Sequence, residues 1–155
     1  MEYPVETNPR IWGYGPGPSD VLNDTADWVK LSGAAGVWIY VTEIGNNATD
    51  LVLTVHEGAT GAGTTEIAVA FPIYVNLVTT TADTWTKLTD AVTYTIVHTA
   101  VAKQINFYID ASILTDGYDW VQLGTSGGHA TNIVYVEYQL VGTRYKSATP
   151  PTAIA

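Results

Sequence analysis

The stretch that decides the fold is Gly36–Ile44, which reads Gly-Val-Trp-Ile-Tyr-Val-Thr-Glu-Ile. Three branched aliphatic residues alternate in it with Trp38 and Tyr40. Successive side chains of a β-strand point to opposite faces of the sheet, so this alternation predicts a strand with one aliphatic and one aromatic face. Branched and aromatic residues also fit the pleated, half-buried surface of a sheet.

Strand patterns of this kind recur on both sides of that stretch, and no segment has the apolar period of an amphipathic helix. The other predicted strands are 28–31, 51–57, 67–71, 73–75, 84–89, 92–99, 105–110, 118–123 and 133–141. Pro72 indicates an edge or a bulge between two of them, and Asp116-Gly117 indicates a tight turn. Eight or nine short strands without helices predict an all-β fold, a single antiparallel β-sandwich or barrel, most simply a jelly roll.

The prolines divide the chain into three parts, since six of the seven lie in the first 18 or the last six residues. We expect an extended N-terminal arm over residues 1–27, one β-domain over 28–145 and a C-terminal tail over 146–155. Within the arm, Ile11, Trp12 and Tyr14 stand among prolines and glycines. They are predicted to anchor the arm on a partner, because buried aromatic residues carry much of the energy of interfaces.

Composition excludes several functional classes. The 155 residues contain no cysteine, and 15 acidic residues outnumber six basic ones for a net charge of −9. Disulfide scaffolds and thiolate chemistry are therefore excluded, and nucleic acid and anionic membranes are not expected as partners. The N-terminus lacks the basic and apolar regions of a signal peptide, so we expect the protein to be made and kept in a cytosol.

The segment Gly-Thr-Ser-Gly-Gly around Ser126 is similar to the nucleophile segment of chymotrypsin-like proteases. A triad would need His56 or His98 as the base and Asp110 to orient it. Neither histidine has the sequence context of that family, and the β-domain is too short for two six-stranded barrels. A flexible Ser/Gly loop between two strands is the favoured interpretation.

Metal and cofactor sites are not predicted either. The three histidines lack metal-ligand spacing, and Asp116 and Asp119 flank a turn, where aspartate favours local hydrogen bonds. Calcium held by loop carboxylates stays open, although no calcium-loop motif supports it. We expect no enzyme, no metal and no cofactor.

The five tryptophans are many for a chain of this size. Because Trp38 and Tyr40 share one face of a strand, they would form a platform for stacking sugars or would pack on the second sheet or a neighbouring subunit. Packing is favoured, since Trp and Tyr are enriched at buried interfaces.

Seven stretches of the β-domain form a recognisable series: Trp-Val-Lys-Leu at 28–31, Val-Trp-Ile-Tyr-Val at 37–41, Leu-Val-Leu-Thr-Val-His-Glu at 51–57, Phe-Pro-Ile-Tyr-Val at 71–75, Phe-Tyr-Ile-Asp-Ala at 107–111, Leu-Thr-Asp-Gly-Tyr-Asp-Trp-Val-Gln-Leu at 114–123 and Gly-Thr-Arg-Tyr at 142–145. Their order over residues 28–145 resembles the small capsid decoration (auxiliary or cement) proteins of tailed bacteriophages. The likeness is one of strands and turns, and it does not include the arm or the tail.

The resemblance implies a non-enzymatic virion protein on the capsid exterior, assembled in the host bacterial cytoplasm. Its partners would be the major capsid protein and further copies of itself, commonly as a trimer. The arm residues Ile11, Trp12 and Tyr14 are then the expected capsid or subunit contacts, with Arg144 and Tyr145 as weaker candidates. Deleting residues 1–18 is expected to weaken shell binding and to leave the β-domain folded. A carbohydrate-binding module, or a structural protein of the phage tail or neck, is the alternative.

Overall fold

The computed structural model describes residues 10–13, 19–20, 25–31, 33–44, 49–63, 65–79, 83–97, 99, 101–129 and 132–142. In chain order the strands are β1 Arg10–Trp12, β2 Ser19–Asp20, β3 Val29–Lys30, β4 Gly36–Ile44, β5 Leu51–Gly58, β6 Thr65–Glu66, β7 Ile73–Asn76, β8 Thr86–Lys87, β9 Thr93–Ile96, β10 Lys103–Asp110, β11 Trp120–Gly127 and β12 Ile133–Val141. Helical structure in these ranges is limited to a 3-10 turn, Ala111–Ile113, far too short to cross a membrane.

The strands form two antiparallel sheets that pack face to face as a β-sandwich, which confirms the predicted fold class. The front sheet has the order β1-β12-β4-β10-β7-β8, and β2 also pairs with β12. The back sheet has the order β3-β11-β5-β6, and β9 also pairs with β5.

The core lies between the sheets and is built from one side of each alternating strand. In the front sheet, Val37, Ile39 and Val41 of β4 and Ile105, Phe107 and Ile109 of β10 are buried. Leu53 and Leu123 bury the inner face of the back sheet in the same way. Burying this apolar surface at about 25 cal/mol per Å² is the main force that holds the sheets together.

A buried hydrogen bond also joins the two sheets. The Leu123 backbone N–H donates to the Tyr138 hydroxyl over 2.9 Å, and Tyr138 is fully buried. Because β3 pairs only with the start of β11, the N–H of Leu123 has no strand partner on that side. The Tyr138 hydroxyl satisfies it, since an orphaned buried N–H is costly.

The described parts of the predicted N-terminal arm are joined to the sandwich. Strand β1 pairs with β12 at the edge of the front sheet, and Ile11 is buried in the core. Gly13 donates its N–H to the Val136 carbonyl, and the Gln122 side chain donates to the Ala26 carbonyl. Deleting residues 1–18 therefore removes an edge strand, so that deletion does not separate anchoring from folding.

Two local predictions were wrong. Residues 67–71 do not form a strand: Ile67 is buried and Phe71 makes an isolated bridge to Ala91, but β6 is confined to Thr65–Glu66. The predicted Ser/Gly loop is mostly strand, because β5 offers β11 a continuous ladder as far as Gly127. Gly127 and Gly128 then end the strand at φ +70 and +81, where glycine is favoured.

Candidate functional site

Aromatic side chains collect on the outer face of the front sheet. The alternation that buries Val37, Ile39 and Val41 turns Trp38 and Tyr40 outward, away from the second sheet. Strand pairing places Tyr108 of β10 opposite Trp38, and it places Asn106 opposite Tyr40 on one side. On its other side Asn106 lies opposite Tyr74 of β7, so four rings from three strands meet around one amide.

The rings contact one another around Trp38. Its ring centroid lies 6.2 Å from that of Tyr40 with nearly parallel planes (23°). It lies 5.5 Å from the Tyr74 ring and 5.0 Å from the Tyr108 ring, both tilted. Offset and tilted pairs at these distances are favourable, so the cluster is rigid before any ligand arrives. All four side chains remain half-buried.

A shallow cleft opens over this cluster. It has a volume of about 240 Å³, slightly below the usual range for small-molecule pockets. The lining residues are Trp38, Tyr40, Tyr74, Trp85 and Asn106. Trp85 precedes β8 and is 42% exposed, an unusual exposure for so large an apolar side chain. We name these five residues the aromatic cleft.

Both neutral and charged groups lie beside the rings: the amides of Asn106 and Gln139 and, in the strand register, Glu137 opposite Tyr40 and Lys87 opposite Tyr74. The Tyr40 hydroxyl donates to the Gln139 side-chain oxygen over 2.8 Å. Desolvation, and to a smaller extent the nearby carboxylate of Asp110, raises the pKa of Tyr108, so its phenol stays protonated at neutral pH. The cleft therefore offers ring faces, amides and hydroxyls, which suit stacking and hydrogen bonding to a neutral ligand.

The structure divides the predicted contact residues. Ile11 fills the core of its own domain, so its side chain is not available to a partner in this structure. Trp12 points the other way, is 47% exposed and lies opposite Glu137 on the outer face of the front sheet. Tyr14, Arg144 and Tyr145 lie outside the described residues.

The residues weighed for a protease are not brought together. Ser126 lies opposite Val52, and His56 lies opposite Gln122, four register positions away along the same strand pair. That separation is about 13 Å, far beyond a nucleophile–base hydrogen bond. Asp110 belongs to the front sheet, where its carboxylate accepts hydrogen bonds from Ser112, and His98 lies outside the described residues.

Of the other acidic candidates, Asp116 lies in a tight turn and Asp119 forms a surface ion pair. Thr115–Tyr118 closes as a turn in which the Tyr118 N–H donates to the Thr115 carbonyl, with Gly117 at φ +82. Asp119 pairs with Lys30 at 3.4 Å on the surface. No group of three metal-ligating side chains occurs within the described ranges.

A second surface lies at one end of the sandwich, where β4, β7 and β9 end. Four exposed aliphatic side chains stand there, and we name them the apolar end: Ile44, Leu77, Val78 and Val97. Strands β4 and β7 share this end because Lys103, at the start of β10, pairs with Glu43 while the next residue pairs with Asn76. Val97 lies near them, since Lys103 Nζ donates to the hydroxyl of Thr99, two residues after Val97, over 2.6 Å. Exposed apolar patches of this kind mark contacts with other proteins.

No protein-family model, curated protein or solved structure matches this chain. The function is therefore argued from the two surfaces. Sequence reasoning found Trp38 and Tyr40 but missed Tyr74, Trp85 and Asn106. Tyr74 carries a local signal, since it alternates with buried neighbours, but its approach to Trp38 depends on which strands pair.

Proposed function

We propose that this chain is a non-enzymatic virion structural protein that binds the outside of a tailed-bacteriophage capsid and stabilises it. The apolar end carries the proposal: four aliphatic side chains stand exposed at one end of a strongly acidic domain. An apolar patch on a charged surface is suited to burial against another protein.

The resemblance to capsid decoration proteins supports the same function. Most of the stretches that carry it are parts of the sandwich, including 37–41 in β4, 51–57 in β5 and 107–110 in β10. The strand order of each sheet favours a jelly roll: the back sheet contains β3-β11-β5-β9 and the front sheet contains β4-β10-β7-β8. Strand β12 and the short strands β1 and β2 extend the front sheet beyond this pattern.

Charge and mass action explain how such a protein would act. A net charge of −9 keeps the protein off the packaged DNA, because like charges repel. A protein that binds only the assembled shell stabilises it by RT ln(1 + [L]/Kd) per site. Many weak sites on one shell then add to a large effect.

The proposed partners are the major capsid protein and further copies of this chain, with a trimer implied by the resemblance. Trp12 is the candidate subunit contact, because its side chain is 47% exposed at the edge of the front sheet. The protein would be made in the host bacterial cytoplasm and would end on the virion exterior.

Co-sedimentation with empty capsids of the phage that encodes the protein tests the proposal. We expect saturable binding to expanded shells and none to unexpanded ones. The Leu77→Glu and Val97→Glu variants should bind at least tenfold more weakly, since each places a charge in the apolar contact.

Val92→Glu and Val69→Glu are matched controls, because both are exposed valines outside the apolar end. They should bind like the wild type. An absence of wild-type binding at high micromolar concentration, or an equal loss in the control variants, would reject the proposal. Saturable binding to purified tails instead would favour the tail or neck alternative.

A further inference from the structure

We propose that the aromatic cleft is a binding site for a neutral oligosaccharide of pyranose units. This role is separate from the proposed capsid contact, which uses the apolar end. Sugar binding would explain why these rings are present, since they belong neither to the core nor to the apolar end.

The ring faces supply the first argument. A pyranose presents apolar C–H groups on its faces and hydroxyls around its rim, so it stacks on aromatic rings and hydrogen-bonds at its edges. In the cleft, Trp38 and Tyr40 stack on each other, and the exposed Trp85, which has no ring partner among the described residues, lines the same depression. Leaving Trp85 in water without a partner is unfavourable, and stacking on a sugar relieves that cost.

The polar groups supply the second argument. The Asn106 side chain lies between Tyr40 and Tyr74 in the strand register, and within the described residues it makes no hydrogen bond. Its amide can donate and accept at once, as a sugar hydroxyl does. Gln139, fixed by the Tyr40 hydroxyl, offers a second amide beside the rings.

Charge indicates a neutral ligand. The five lining residues are tryptophans, tyrosines and one asparagine, and the acidic residue on the same row, Glu137 opposite Tyr40, disfavours an anion. The nearest cation on the same row, Lys87 opposite Tyr74, already pairs with Asp90 at 3.2 Å. The net charge of −9 repels phosphorylated or carboxylated sugars.

The cleft also differs from a surface for docking a protein. The aliphatic side chains that favour a protein contact lie at the apolar end, whereas this face interleaves rings with amides. The cleft is shallow, with a volume of about 240 Å³, so an oligosaccharide would lie across it with one or two sugar units in contact with the rings. We therefore expect weak binding, with a Kd of about 0.1–1 mM.

Calorimetric titration of the full chain with cellohexaose, maltohexaose, mannohexaose and chitohexaose tests the site, with tryptophan fluorescence as a second readout. We expect saturable binding of at least one and a fluorescence change at the same concentration. Trp85→Ala should weaken it at least tenfold, and Asn106→Ala severalfold. Trp120→Ala, the same substitution on the back sheet, should stay within twofold of the wild type.

The proposal is overturned if none of the four hexasaccharides binds at millimolar concentration or if Trp85→Ala binds as the wild type does. Stronger binding of an anionic chain, polygalacturonate, would also overturn it. Capsid co-sedimentation keeps this proposal separate from the capsid proposal, because Trp85→Ala should bind shells normally. If that variant loses shell binding and keeps its response to sugar, the cleft is a protein contact and the sugar site is rejected.

Discussion

The outer faces of the two sheets differ although their inner faces are alike. On the front sheet, three tyrosine rings meet around Trp38 and leave an open cleft. On the back sheet, the central outward positions hold small or polar residues, with Thr54 opposite Gly124 and His56 opposite Gln122, and Trp120 stands at the end of the ladder opposite Gly58. The His56 ring leans over Gly124 and occupies the space that a side chain there would need.

This contrast separates residues that specify the fold from residues that are available for function. Inward residues of both sheets are mainly apolar, because burial of apolar surface holds the sandwich together. Outward residues are free of that requirement, so a costly cluster of half-exposed rings on one face needs another explanation. The contrast predicts that the front face binds ligands and that the back face does not.

The largest expected effect on stability comes from an ion pair that is buried in the front sheet but exposed on the back sheet. The front sheet buries an ion pair, Lys103 Nζ to Glu43 Oε2 at 3.7 Å, whereas Lys30 and Asp119 of the back side pair at the surface. Lys103→Met leaves Glu43 buried without its counter-ion and should cost about 3–5 kcal/mol. Lys30→Met should cost less than about 1 kcal/mol.

Urea unfolding of both variants measures this difference. A second variant, Glu43→Leu combined with Lys103→Met, should recover most of the lost stability, because it removes both charges. Equal losses for Lys103→Met and Lys30→Met would show that the front sheet does not depend on its buried pair.

The next effect compares one tryptophan from each sheet. Trp38 contacts three rings, and aromatic pairs contribute about 0.5–1.5 kcal/mol each beyond burial, so Trp38→Ala should cost about 2–4 kcal/mol. Trp120 has the Lys30 ammonium 5.6 Å from its ring centroid, a contact worth about 0.5–1 kcal/mol at exposed sites. Thermal unfolding compares them, and a larger loss for Trp120→Ala would contradict a rigid front cluster.

Local alternation was enough to predict much of the fold. Strands β4 and β12 have the predicted bounds, Gly36–Ile44 and Ile133–Val141, because each alternates over nine residues between a buried and a more exposed side. The same pattern predicted that Trp38 and Tyr40 share a face. Of the two packing partners favoured for them, the second sheet is wrong, because both side chains lie on the outer face, and a neighbouring subunit stays a prediction.

The rest depends on contacts between distant residues. Strand β1 is three residues long between glycines and prolines, and only the free edge of β12 makes it a strand. The aromatic cleft likewise requires β4, β10 and β7 to be neighbours, an order that alternation cannot give. Asn106 looks like any outward polar residue until that order places it between Tyr40 and Tyr74.

A smaller effect tests whether the back face is closed. A Cβ added to Gly124 would lie 2.7 Å from Thr54 Oγ1 and would also collide with the His56 ring. Gly124→Ala should therefore cost about 1–3 kcal/mol through overpacking. Asn106→Ala on the open front face should stay within about 0.5 kcal/mol of the wild type. If chemical denaturation shows Gly124→Ala to be neutral, the back face has room that its packing does not suggest.

The smallest effect concerns the acid range, where one carboxylate of the front sheet is held by its neighbour. Asp110 Oδ1 accepts from the Ser112 hydroxyl at 2.6 Å and from the Ser112 N–H at 2.9 Å, and these bonds lower the pKa of Asp110. A pKa lowered by folding adds stability above the unfolded value of about 3.9, and that stability is lost as the pH falls through the folded value.

Ser112→Ala removes the hydroxyl bond, so the pKa of Asp110 should rise and stability at pH 7 should fall by less than about 1 kcal/mol. Below the folded pKa of Asp110 the two proteins should converge, because the carboxyl is then protonated in both. Carboxyl-carbon NMR titration follows the pKa directly, and an unchanged titration midpoint in Ser112→Ala would assign the stabilisation to the backbone bond alone.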